Sequence, residues 1–105
     1  MTQNKIPGWA QGIAHKHAVV TGGSKGLGRA ICIALAEAGA NVTAVARDAV
    51  ALEDLAKEYP SIEMWQADVN DPAFGIELSQ RRVDIFVNNA GTNNPMPMVD
   101  VPVAV

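Results

Sequence analysis

With 105 residues, 49% of them apolar, the chain can bury one core and is too short for two domains. Its net charge of −3 is mild and no run of like charges exceeds two residues, so it carries no electrostatic footprint for nucleic acid or for an anionic membrane. The single cysteine, Cys32, excludes an internal disulfide, and no apolar stretch reaches the length of a signal-peptide core or a membrane span; a cytoplasmic setting is expected.

Residues 1–16 show no clear periodicity and are expected to form a leader in which Ile6, Trp9 and Ile13 cover one edge of a domain spanning 17–105. Strands and helices then alternate. His17 to Thr21 reads as a strand, and Leu27 to Ala38, closed by Gly39, as a helix with Leu27, Ile31, Ala34, Leu35 and Ala38 on the stripe that meets a sheet. Cys32 lies inside that helix and is expected to pack in the core. Asn41 to Ala46 is a second strand. Ala49 to Tyr59 is a second helix, with Asp48 as its N-cap and Pro60 beyond it. A third strand, Ile62 to Gln66, precedes Asp68-Val69, after which Asp71-Pro72 has the form of an N-cap and first helical residue. The helix it opens is short, and Gly75 weakens it by about 1 kcal/mol relative to alanine. A last strand, Val83 to Asn88, runs into Asn88-Asn89-Ala90-Gly91, and Pro102 marks the start of a further helix. Pro95, Met96, Pro97 and Met98 either border a cleft or form an apolar loop. His15 and His17 have no Cys, Asp or Glu beside them and read as exposed residues at the start of a strand; no metal site is expected.

Alternating strands and helices with near-continuous apolar strands argue for a parallel sheet covered on both faces, where ligands bind at the carboxyl ends of the strands. Every unusual residue falls there: a glycine loop after the first strand, Arg47 after the second, Asp68 after the third and Asn88 to Gly91 after the fourth.

The loop is Val19-Val20-Thr21-Gly22-Gly23-Ser24-Lys25-Gly26-Leu27-Gly28. A diphosphate needs backbone N–H groups at a helix N-terminus and no Cβ atoms where the backbone comes close, and glycines at 22, 26 and 28 meet both demands. A Walker loop would need Gly-Lys-Ser/Thr running into the helix, but Lys25 precedes Gly26, so an ATPase is disfavoured. The G-x-G-x-x-G/A fingerprint fails as well, because position 31 is Ile. What remains, T-G-x-x-x-G-x-G, resembles the nucleotide loop of the short-chain dehydrogenase/reductase family; its extended relatives would have glycine where Lys25 stands.

That resemblance implies the first half of a Rossmann-like, doubly wound α/β domain with strand order 3-2-1-4. It makes Gly22, Ser24, Lys25, Gly26, Leu27 and Gly28 the cofactor loop. Asp68-Val69 is similar to the family's acidic-aliphatic pair, in which the carboxylate accepts from the adenine amino group and the aliphatic backbone meets the ring; a plain turn beside Asn70-Asp71 is the competing role for Asp68. Asn88-Asn89-Ala90-Gly91 is similar to the N-N-A-G motif. It implies that Asn88 and Ala90 line the adenosine ribose, with Asn89 and Gly91 tying strand ends together; Gly91 is counted with the cofactor-binding set.

Charge decides the cofactor. Enzymes of this fold that use NAD place a carboxylate at the end of the second strand, where it binds the ribose hydroxyls and repels a 2′-phosphate. Here that position is Ala46, followed by Arg47, and Lys25 offers a second cation to the same phosphate. NADP(H) is therefore expected, with NAD(H) as the weaker alternative. In the competing arrangement Lys25 and Arg47 are solvated surface charges and Asp48 faces the ribose.

The family's hydride transfer uses a Ser, a Tyr and a Lys four residues after the Tyr, none of which is identifiable. The only tyrosine, Tyr59, has Glu at position 63. The expectation is accordingly the NADP(H)-binding portion of an oxidoreductase that interconverts an alcohol and a carbonyl, truncated before the catalytic segment, with no catalytic residue assigned. Alternatives are a nonenzymatic dinucleotide-binding module or an inactive truncated product. Expected partners are the cofactor, a small alcohol or carbonyl in the full-length enzyme, and further copies of the chain in a homo-oligomer; neither nucleic acid nor membrane is expected.

Overall fold

Ala18, Val19 and Val20 are all buried, as are Val42, Thr43, Ala44 and Val45, so both faces of these two segments must be covered. A parallel sheet between helix layers does this. In a computed structural model, which describes residues 12–89, seven elements alternate: β1 (His17–Thr21), α1 (Gly26–Glu37), β2 (Asn41–Ala46), α2 (Ala49–Glu58), β3 (Glu63–Gln66), α3 (Pro72–Ser79) and β4 (Ile85–Asn88). The four strands pair in parallel in the order β3-β2-β1-β4, the order predicted from sequence. The leader before residue 12 and everything after Asn89 lie outside the described residues, including Ile6, Trp9, the Pro95 to Met98 run and Pro102. Ile13 does pack against the core.

The first two helices share one face of the sheet and the third covers the other. Ala18, Val20, Val42 and Ala44 point toward α1 and α2, joining Cys32, Leu35, Leu52 and Leu55 in one cluster. Val19 and Val45 point the other way, onto Trp65 and Phe74. An ion pair between Arg29 and Glu58 joins α1 to α2. Burial pushes the Cys32 thiol up to about 12, which keeps it a neutral packing group, as expected for this residue.

The predicted stripe of α1 needs correction. Leu27 is 68% exposed and Ala34 is also exposed, whereas Gly28, Cys32 and Leu35 are buried with Ile31 half-buried beside them. The helix is rotated so that Gly28 meets the turn after β1 most closely. At its end Gly39 has φ +96, and Ala40 N–H reaches Leu35 O at 3.0 Å while Gly39 N–H reaches Ala36 O at 3.0 Å. Those are the two bonds of a Schellman cap, so Gly39 closes the helix as predicted.

The later elements are shorter than predicted. β3 starts at Glu63, although Ile62 is still buried in the core. β4 starts at Ile85 rather than Val83, because Asp84 bends to hold β1 instead of extending the strand: His17 N–H donates to Asp84 Oδ2 at 2.8 Å and Asp84 N–H to His17 O at 2.8 Å. His15 is exposed, whereas His17 is half-buried by this arrangement. On α3 a Cβ at Gly75 would meet nothing, and Ile76 is 63% exposed. Coverage comes instead from Phe74, whose ring lies 4.8 Å from that of Trp65, and from the Arg81 guanidinium 3.9 Å over the Trp65 ring. No helix among the described residues is long and apolar enough to cross a membrane.

Candidate functional site

The turn after β1 is fixed by what its glycines exclude. Gly22 and Gly26 have φ of +65 and +54, a region that side chains disfavour. Gly23 donates to Val45 O at 3.1 Å, and a Cβ there would lie 2.9 Å from Cys32 Sγ. At Gly28 a Cβ would fall 1.9 Å from Gly22 O and 2.7 Å from Asn89 Nδ2, so strand, helix and the end of β4 can meet only at glycine. Gly26 differs, since a Cβ on it would enter open space in front of α1.

Three helices begin beside this loop or on neighbouring strand ends, and their caps differ. Asp48 caps α2 by accepting from Ala51 N–H at 3.1 Å, and Asp71 caps α3 by accepting from Ala73 N–H at 2.9 Å, both as predicted. The N-cap of α1 is Lys25, whose side chain makes no capping bond, and no acid lies in the first turn. The N–H groups there and the positive end of the helix dipole are left for an anion.

In front of them is a cavity of about 470 Å³, a volume typical of small-molecule sites. Gly22, Ser24 and Lys25 line it from the first strand end, Ala46, Arg47 and Asp48 from the second, Ala67 to Asn70 from the third, and Asn89 from the fourth. Lys25 Nζ sits 3.2 Å from Asp48 Oδ2. The Ala51 N–H and then Lys25 lower the Asp48 pKa below the usual aspartate value. Asp68 Oδ1 accepts from Asn70 N–H at 2.9 Å, so this residue both shapes the turn and borders the cavity.

The predicted set is therefore partly assembled on the cavity wall. Gly22, Ser24, Lys25, Arg47, Asp68 and Val69 are on it, whereas Gly26, Leu27, Gly28 and Asn88 are not; Ala90 and Gly91 lie outside the described residues. Both asparagines bond Thr21, and it is Asn89 rather than Asn88 that borders the cavity. Thr21 Oγ1 donates to Asn88 Oδ1 at 3.1 Å, so Asn88 ties β4 to β1. Asn89 N–H donates to Thr21 Oγ1 at 2.9 Å while its side chain borders the cavity. Register alone carried this signal, since Thr21 and Asn88 are direct partners across β1 and β4.

The short chain dehydrogenase profile matches residues 16–104. The chain belongs to the short chain dehydrogenase family. It is 41% identical over 92 residues to L-xylulose reductase of Mus musculus, covering 86% of this chain and 38% of that enzyme. It is 40% identical over 101 residues to the rhamnolipid-biosynthesis 3-oxoacyl-[acyl-carrier-protein] reductase of Pseudomonas aeruginosa, covering 88% and 40%. Among solved structures, the Pseudomonas aeruginosa RhlG/NADP active-site complex superposes with a TM-score of 0.67 at 42% identity, over 75% of this chain and 36% of that one. L-Sorbose reductase from Gluconobacter frateurii, complexed with NADPH and L-sorbose, gives a TM-score of 0.69 at 31% identity, over 88% and 39%. The chain thus spans about two fifths of the length of these short chain dehydrogenase relatives.

Proposed function

We propose that this chain is the NADP(H)-binding portion of an oxidoreductase that interconverts an alcohol and a carbonyl by hydride transfer. The observation that carries the reading is the uncapped N-terminus of α1, opening behind Gly22 and Gly26 onto a cavity walled by Lys25 and Arg47. Such a cradle fits a pyrophosphate, and two cations on the rim fit a 2′-phosphate. In this reading Gly22 to Gly28 hold the pyrophosphate and Lys25 and Arg47 the 2′-phosphate. Asp68 and Val69 hold the adenine, and Asn88, Ala90 and Gly91 frame the ribose, joined by Asn89. The NADP and NADPH complexes of RhlG and L-sorbose reductase support the same cofactor. Bound there, the nicotinamide would supply or accept the hydride.

One observation favours binding without turnover within these 105 residues. Tyr59, the only tyrosine, follows α2 at the end away from Asp48, about 15 Å along a ten-residue helix from the cavity rim. A proton donor must lie within hydrogen-bond reach of the reacting oxygen, and Tyr59 is absent from the cavity lining.

We further read 1–16 as a leader and 17–105 as the cofactor domain. Self-association is supported by the outer edge of β4, which has no strand partner among the described residues. The lone buried thiol Cys32 fits a cytoplasmic setting. Calorimetric titration of the chain with NADPH and NADH tests the cofactor reading. Tighter binding of NADPH is expected, and equal affinities would count against it.

A further inference from the structure

The outer sides of α1 and α2 differ in kind, although both helices pack on the same face of the sheet. On α2 the exposed positions are Val50, Glu53, Asp54, Lys57 and Glu58, the polar surface of an ordinary amphipathic helix. On α1 they are Gly26, Leu27, Ala30, Ala34 and Glu37, with Ile31 and Ile33 half-buried on the two flanks. Leu27, Ala30 and Ala34 are spaced i, i+3 and i+7, so they form one line along the helix. A helix that is apolar on its outer side as well as its inner side belongs under cover. The cofactor cavity does not supply that cover, because none of these three residues is on its wall.

The chain enters β1 past the foot of this face. His15 N–H donates to Gly39 O at 2.9 Å, a Cβ on Gly39 would lie 3.4 Å from that of Ala14, and Ile13 packs against the core. Residues 1–11 therefore set out from the carboxyl end of α1. At 1.5 Å per helical residue, Ala34 and Ala30 are about 8 and 14 Å from Gly39, and Leu27 is about 18 Å away. At about 3.3 Å per extended residue, Trp9 can reach about 13 Å beyond Ile13 and Ile6 about 23 Å. The two large apolar side chains of this segment thus match the two ends of the line in reach. The stretch Ile6-Pro7-Gly8-Trp9-Ala10-Gln11 carries no charge, which suits a face without one between Leu27 and Ala34 on its outer line. We propose that residues 1–11 fold back along the outer face of α1, with Trp9 over Ala30 and Ala34 and Ile6 beside Leu27. The alanines leave room for a flat indole, which buries a large area at one point. Docked in this way, the segment braces the helix whose amino end faces the cavity.

A nitroxide attached at Asn4→Cys in the full chain tests this through paramagnetic broadening of backbone amide signals; Cys32 is buried and stays unlabelled. Leu27 and Ala30 should broaden more strongly than Gly39 and Asn41, although the latter two are nearer the point of attachment. An undocked segment gives the reverse order, and that result overturns the proposal, as does broadening centred on β4 or α3. Ala34→Glu sets a charge on the face without entering the core, and Trp9→Ser removes the indole. Each should restore the Leu27 and Ala30 signals with the circular dichroism unchanged, and broadening that persists in both variants overturns the proposal. Mixing nitroxide-bearing chain with isotope-labelled chain that lacks the nitroxide separates one molecule from two. No broadening is expected in the mixture; broadening as strong as within one chain would place the segment on a second copy and overturn the proposal.

Discussion

The two ends of the same four strands are built on opposite terms. At the amino end, polar groups satisfy one another: His17 N–H meets the Asp84 carboxylate, Asp84 N–H meets His17 O, Asn41 N–H meets Lys16 O at 2.8 Å, and His15 N–H meets Gly39 O at 2.9 Å. At the carboxyl end the helix that follows β1 has no side-chain cap and no acid in its first turn, and Arg47 and Lys25 stand on the rim of a cavity. An aspartate placed where the chain needs stability closes one end, and the lack of a side-chain cap or an acid in the first turn of α1 leaves the other open to an anion. Substitutions at the two ends should therefore separate stability from binding.

Gly28→Val should have the largest effect, because it breaks the point where the carboxyl end depends on packing. Its Cβ would meet Gly22 O at 1.9 Å, so the strand and helix must part. A loss of about 3 kcal/mol in denaturant unfolding is expected, together with loss of NADPH binding by titration. Retained binding by a folded variant would show that the cradle is not the ligand site.

Arg47→Asp alters the same end without touching its packing. It should weaken NADPH by about 1.5–3 kcal/mol and reverse the preference toward NADH. The unfolding midpoint should stay nearly constant, and a large drop would mean that Arg47 holds the fold rather than the ligand.

Gly75→Ala lies at neither end and serves as the control. A Cβ there meets nothing, so about 0.5–1 kcal/mol of added stability with unchanged NADPH affinity is expected in the same two assays.

The smallest effect is expected from acid at the amino end. The His17 N–H holds the Asp84 carboxyl below its usual pKa. A pKa lowered by folding gives stability that is full above the ordinary aspartate value and fades as pH falls through the lower folded one. Asp84→Asn should flatten the acid limb of a stability-against-pH curve and leave the NADPH to NADH ratio at neutral pH unchanged.

How far the sequence was legible follows the kind of interaction involved. The bounds of β1 and β2 match the prediction because apolar runs between polar or glycine breaks mark a doubly buried strand directly. The caps Asp48 and Asp71 are local and were equally plain. The rotation of α1 was missed because hydrophobic periodicity gives no weight to Gly28, the residue whose lack of a side chain sets the orientation. That Asn88 and Asn89 share Thr21 as a partner was not legible, because it is reachable only through strand register. The Lys25 to Asp48 pair joins two strand ends far apart in sequence, so neither residue announces the other.

The contrast between the ends is tested most directly by amide chemical-shift mapping of the labelled chain during titration with NADPH and then with NADH. With NADPH, the signals of Gly22, Ser24, Lys25, Gly26, Arg47, Asp68 and Val69 should move while those of His17, Asn41 and Asp84 stay in place; with NADH, Lys25 and Arg47 should move less. Shifts centred on the amino end, or none anywhere at saturating NADPH, would contradict a cofactor site at the carboxyl ends of the strands.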